Sequence, residues 1–110
     1  MGERTEIPPG TLYMLVLKTL ARLGPMHGFG IAQYIQQISE DVLRVEEGSL
    51  YPALQRMLIK GWVVTEWKQS ANNRRARYYS LTPKGKKQLA AEIEEFEKVM
   101  GAIRRVIQPA

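Results

Sequence analysis

Five residues within one short stretch carry side chains suited to reading another polymer: Ser49, Tyr51, Pro52, Gln55 and Arg56. Placed on a helical wheel, Leu50, Leu54, Met57 and Leu58 fall on one side, at the spacing of a helix packed on a core. Ser49, Pro52, Gln55 and Arg56 fall on the other side, with Tyr51 at its border. Hydroxyl, amide and guanidinium groups on one helix face match the donor and acceptor pattern of base edges in a DNA major groove. Gly48 and Ser49 are the expected capping residues, and Gly61 the expected stop. Pro52 is expected near the helix start, where first-turn N–H groups have no intrahelical partner.

Other chemistries find little material. The chain has no cysteine and a single histidine, His27. A thiolate metal site, a cysteine nucleophile and a histidine-based catalytic pair are therefore not expected. His27 reads as a structural or capping residue. The carboxylates Glu92, Glu94, Glu95 and Glu97 sit on one helix with no nucleophile–base pair and no Gly-rich phosphate loop, so no enzyme, metal or cofactor is expected. The opening MGERTEIPPG is charged and lacks the apolar core of a signal peptide. The longest apolar run, residues 12–17, falls far short of the roughly 20 residues of a membrane span. The absence of cysteine fits a reducing compartment, and a cytoplasmic location is expected.

The chain is 110 residues long and 45% hydrophobic, enough for one packed domain. Net charge is +5, and its distribution says more than its size. Residues 68–91 hold no acid but seven cations: Lys68, Arg74, Arg75, Arg77, Lys84, Lys86 and Lys87. Residues 92–97 then carry four acids. The basic block is a candidate footprint for phosphates; the alternative is a solvated loop and helix face.

Several elements must position these groups. Residues 1–8 read as an arm, with Pro8 and Pro9 disfavouring regular structure before them. A first helix is expected to begin near residues 9–11, with Thr11 or Gly10 near its cap and Gly24-Pro25 as its stop. Its apolar residues make two faces: Leu12, Leu15, Val16, Leu20 and Leu23 on one, Tyr13, Met14, Leu17 and Ala21 on the other. One cover is the core; the second is either a partner subunit or the same domain. A second helix is expected over residues 28–39, with Ile31, Ile35 and Ile38 pointing inward. A short strand at residues 43–45 leads into the reading helix, in the spacing of a helix-turn-helix with a loosened turn. Residues 62–69 and 76–81, rich in β-branched and aromatic side chains, predict a hairpin; Asn72-Asn73 suits its turn, and Arg74, Arg75 and Arg77 give it a basic tip. A hairpin after a reading helix is a wing, with cations placed for phosphates or a minor groove.

Thr82 and Pro83 open the last helix as N-cap and first residue. Leu89, Ile93, Phe96, Met100, Ile103 and Ile107 then recur in the pattern of a coiled-coil seam. That seam is roughly 27 Å long at the helical rise per residue. No other segment is left to cover it, so pairing with the same helix, or with the first helix, of a second copy is expected; packing on its own domain is the alternative.

The order of elements is that of a winged helix with a C-terminal dimerisation helix, and the residues are similar to those of the PadR family of transcriptional regulators. The similarity runs from about Gly10 to Leu89. It is carried by Leu23, Gly24, Pro25, Met26, His27, Gly28 and Phe29; by Gly48, Ser49, Leu50, Tyr51, Pro52, Ala53 and Leu54 with Leu58 and Gly61; and by Arg77, Tyr78, Tyr79, Ser80, Leu81 and Thr82 with Gly85. The resemblance implies a homodimer that binds a pseudo-palindromic double-stranded DNA operator, usually as a repressor and often released by a small-molecule effector. By position it places Ser49, Tyr51, Pro52 and Gln55 at the groove, Arg74, Arg75 and Arg77 on the wing, and Gly10 and Thr11 near a backbone phosphate. Phe29 stands where the family usually has Tyr. The chain resembles the short branch, with one C-terminal helix, and both tryptophans, Trp62 and Trp67, lie in the hairpin rather than on that helix.

The expectation is thus a mainly α fold with a small β-hairpin: an arm at 1–8, a winged helix-turn-helix at 9–81 and a coiled-coil-like dimerisation helix at 82–110. Its expected function is sequence-specific DNA binding and regulation of transcription. The alternative is a winged-helix module for protein interaction, without specific DNA binding.

Overall fold

A computed structural model of the chain describes residues 5–8, 10–69 and 72–108. Expectations that fall on residues 1–4, Pro9, Ser70, Ala71 and 109–110 lie outside the described residues. In chain order the elements are β1 (Thr5–Glu6), α1 (Leu12–Leu23), β2 (Met26–His27), α2 (Gly28–Ile38), β3 (Leu43–Arg44), α3 (Glu47–Ile59), β4 (Val63–Gln69), β5 (Arg75–Leu81) and α4 (Pro83–Ile107). This is a winged helix, mainly α with a small sheet. No helix of the described residues is long and apolar enough to cross a membrane.

The core forms where the helical and strand periods meet. Val16, Leu17 and Leu20 of α1, Ile31 and Ile35 of α2, and Leu50, Leu54 and Met57 of α3 are buried together with Trp62, Val63, Tyr79 and Leu89. Two expected core residues lie outside it. Ile38 is 65% exposed and Leu23 is 47% exposed, because each ends its helix beyond the reach of the next layer.

The joint between α2 and α3 is stitched by side chains. Ser39 Oγ donates to Gln36 O at 3.1 Å and accepts from Leu43 N at 3.1 Å, while Gln36 Oε1 accepts from Val45 N at 3.3 Å. β3 pairs in parallel with β1, Thr5 opposite Leu43 and Glu6 opposite Arg44. Residues 5–6 of the segment expected as an arm without regular structure are therefore fastened to the strand that leads into α3.

α3 begins earlier than its sequence suggests. Its N-cap is Glu46, with no side-chain cap bond, so Gly48 and Ser49 are helical residues rather than caps. Pro52 is consequently the sixth helical residue. Its ring removes the N–H that would have bonded back to Gly48, at a position where both residues are exposed to water. The C-terminus closes as expected. Gly61, at φ 76°, donates to Leu58 O at 3.0 Å, and Trp62 N donates to Met57 O at 3.0 Å. This paired closure needs a left-handed residue, which glycine supplies without a Cβ penalty.

β4 and β5 pair antiparallel with Val63 opposite Leu81 and Gln69 opposite Arg75, and β2 adds to the free edge of β5 with His27 opposite Tyr78. β5 starts at Arg75, one residue before the expected strand, and Asn73 takes the positive φ of the turn at 62°. Thr82 then joins three elements. Its hydroxyl donates to Gly61 O at 2.7 Å and accepts from Gly85 N at 3.0 Å, so the end of α3 and the start of α4 share one capping side chain.

Candidate nucleic-acid interface

Three elements converge on a concave surface. Tyr51 of α3, the first turn of α2 at His27, Gly28 and Phe29, and the wing residues Trp67, Arg74, Arg75 and Arg77 line a groove of about 630 Å3. No carboxylate is among the described residues that line it. Three guanidinium groups on one wall and aromatic rings on the others make a surface that attracts phosphates and accepts flat or sugar-like faces.

Tyr51 is 40% exposed and stands at the border of the inward face, as expected from the wheel. Burial, and then the negative charge of Glu47 and the neighbouring Tyr79, push its phenol above the usual tyrosine range. The group therefore stays neutral at physiological pH and keeps its O–H as a donor. His27 fixes the opposite wall: it is the N-cap of α2, and its Nδ1 accepts from Gly30 N at 3.0 Å. The capping expectation for His27 agrees with this bond. Its ring also meets Tyr78 edge-on at 5.4 Å.

Pro52 and Gln55 are exposed on the outward face of α3. Arg56, expected to point outward beside them, is held elsewhere. Its Nε donates to the Tyr13 hydroxyl at 2.5 Å, and its guanidinium lies 5.7 Å from the Tyr13 ring centre. Tyr13 in turn meets Trp62 edge-on at 5.4 Å. Arg56 thus ties α3 to α1.

Ser49 and Gly10 are brought together, but away from the wing. They line a separate cleft of about 240 Å3 with Ile7, Pro8, Arg44 and Glu46. Thr11 occupies the N-cap position of α1 but makes no cap bond; its hydroxyl donates to Pro8 O at 2.8 Å. Gly10 and Thr11 also border a third cleft, of about 410 Å3, against Gln88, Glu92, Phe96 and Val99 of α4. The candidate DNA-facing residues therefore fall into two clusters on either side of α3. Acids stand at the start of that helix as well, Glu46 and Glu47, and Arg44 pairs with Glu46 at 2.9 Å.

The seam of α4 is divided. Leu89 is 7% exposed in the chain's own core, and Ile93 packs against that core. Val99 and Ile103 are each 44% exposed, Ile107 67% and Val106 78%. The chain itself covers Leu89, half-buries Ile93, Phe96 and Met100, and leaves the end of the expected dimerisation surface exposed.

Sequence reasoning missed three supporting residues: Gly28, against which Tyr51 packs; Tyr13, which holds Arg56; and Trp67, over which two wing arginines lie. Trp67 follows from strand register once the hairpin loop is known. The other two are long-range contacts with no local signature.

The comparisons with known proteins agree with one another. Residues 16–91 match the family model described as the transcriptional regulator PadR-like family. A transcriptional regulator from Clostridium thermocellum superposes with a TM-score of 0.82 at 24% identity, covering 90% of this chain and 95% of the other. A PadR family transcription regulator from Clostridium difficile R20291 superposes with a TM-score of 0.75 at 26% identity, covering 88% and 98%. An uncharacterised 37.1 kDa protein in a transposon of Streptomyces fradiae is 37% identical over 90 residues, which is 82% of this chain and 24% of that protein. The chain thus spans about a quarter of the length of that curated relative.

Proposed function

The chain belongs to the PadR-like family of transcriptional regulators, which are not enzymes, and from that premise we propose that it is a sequence-specific DNA-binding repressor acting as a homodimer on a pseudo-palindromic operator in the cytoplasm. The observation that carries the proposal is the shared groove: Tyr51 of α3 and Arg74, Arg75 and Arg77 of the wing line one concavity without a described carboxylate. The outward residues Tyr51, Pro52 and Gln55 read base edges, while the wing arginines hold the sugar–phosphate backbone. Ser49, Gly10 and Thr11 meet a second stretch of backbone from the arm side.

In this reading residues 9–81 bind DNA and residues 82–110 pair two copies. The open stripe of Val99, Ile103, Val106 and Ile107 supports pairing. So does charge along the more exposed part of α4: residues 92–97 carry Glu92, Glu94, Glu95 and Glu97, and residues 98–105 carry Lys98, Arg104 and Arg105. An antiparallel pair sets the acids of one copy against the cations of the other. A two-fold dimer requires half-sites one helical turn apart or a multiple of it. The cleft between Thr11, Met14, Phe96 and Val99 is the space this reading gives to a small-molecule effector.

The test is a salt titration of binding to the chromosomal region upstream of the coding sequence, against random duplex, with solution mass measured in parallel. Tight, salt-dependent, sequence-selective binding by a dimer is expected. A monomer indifferent to duplex at low salt would overturn the reading.

A further inference from the structure

The wing carries its two central arginines in a way that charge alone does not explain. Arg75 and Arg77 are two residues apart on β5, so their side chains leave the same face of the hairpin roughly 6.6 Å apart along the strand. Trp67 of β4 lies directly opposite Arg77, and Gln69 opposite Arg75. The same face, followed towards the base of the hairpin, enters the core through Tyr79 and Val63. Beyond the core it carries Trp67, which is 57% exposed. The Arg75 guanidinium carbon stands 5.2 Å from the centre of the Trp67 ring, and that of Arg77 6.0 Å. Arg77 Nε is buried and has no hydrogen-bond partner among the described residues. The electron-rich surface beside it is the indole face.

Two like charges side by side on an open strand repel, and each long side chain would otherwise sample many rotamers. An indole attracts both cations through its ring quadrupole. We propose that Trp67 is a positioning residue: it holds Arg75 and Arg77 side by side before DNA arrives, as a preformed clamp for phosphates along one strand. The inference rests on the DNA-binding function proposed above. It adds that the affinity of the wing depends on an aromatic ring that itself touches no DNA. Side chains already ordered lose less freedom on binding, so the ring strengthens the complex without entering it.

The test is a double-mutant cycle with a random-sequence duplex as probe, read at one fixed salt concentration. Trp67→Leu weakens binding by about fivefold, the scale of an exposed cation–aromatic contact, while Trp67→Phe stays within about twofold of the parent. In the Arg75→Ala, Arg77→Ala background, Trp67→Leu has no further effect. A loss that persists without the arginines would mean that Trp67 meets DNA directly, and would overturn the proposal; so would full affinity in Trp67→Leu. A second readout needs no variant and no DNA: in the free protein the Arg75 and Arg77 side-chain proton resonances are displaced by the indole ring current. Undisplaced resonances would overturn the clamp even if DNA binding is intact. Displaced resonances in a chain with no affinity for duplex would retain the packing and overturn the clamp together with the function beneath it.

Discussion

The ring of Tyr51 lies directly on the α-carbon of Gly28: a β-carbon at residue 28 would come within 2.7 Å of the ring and 2.8 Å of its hydroxyl oxygen. The first residue of α2 thereby sets where the border residue of α3 points. Gly28→Ala is expected to displace the exposed end of Tyr51 rather than the backbone, because the clashing atoms belong to the far end of a side chain that can turn. Stability should fall by about 1 kcal/mol or less, while affinity for the operator falls several-fold. Thermal unfolding and DNA titration of the same preparation check the split. Equal losses on operator and random duplex would remove Tyr51 from the base-reading set.

Gly85 offers the contrasting case. A β-carbon there would stand 2.1 Å from the Trp62 carbonyl oxygen and 2.8 Å from a Leu81 methyl. The first obstacle is backbone and cannot turn away. Gly85→Ala must therefore separate α4 from the end of α3, breaking the junction that Thr82 caps. A loss of about 3 kcal/mol is expected, at the upper end of overpacking costs. Denaturant unfolding measures it. A stability unchanged from the parent would show that the start of α4 is not packed against residue 62.

Much of this architecture is legible in the residues themselves. The core stripe of α3, the Gly61 stop, the Thr82–Pro83 start and the Asn73 turn each follow from a local rule, and the structure agrees with each. The start of α3 does not, since Glu46 caps it without a side-chain bond while Ser49, a better capping type, sits inside the helix. The wing register does not follow either. A two-residue turn at Asn72-Asn73 would put Lys68 opposite Arg77; the observed loop puts Trp67 there. One residue of slip exchanges the two faces of a strand, and only the fold decides it. The fate of Arg56 depends on Tyr13, forty-three positions away, and no periodicity reports a contact of that range.

The division of the α4 seam gives a prediction in two directions. Leu89 belongs to the core, so Leu89→Ala should cost about 2–5 kcal/mol of folding stability. Ile103 is 44% exposed and lies outside the core cluster of the described residues. Ile103→Glu should leave the fold intact and shift the solution species from dimer to monomer. Sedimentation over a concentration series separates the two effects. A monomeric parent, or an Ile103→Glu variant that associates as the parent does, would remove this stripe as the pairing surface.

The wing and the outward face of α3 should respond differently to salt. Arg75 lies on the wing, and its proposed partners are phosphates rather than base edges. Arg75→Ala should therefore weaken binding to every duplex alike and reduce the salt slope by roughly one unit for each phosphate left without its cation. Gln55 is exposed on the outward face of α3, where an amide can bridge two atoms of an adenine edge. Gln55→Ala should cost about 1–3 kcal/mol on the operator, little on random duplex, and should leave the slope unchanged. Arg56→Ala is the informative third variant, because its guanidinium is engaged by Tyr13. A loss of stability with operator selectivity retained assigns Arg56 to the α1–α3 joint. A loss of selectivity at full stability would return it to the reading face, and would mean that it leaves Tyr13 when DNA binds.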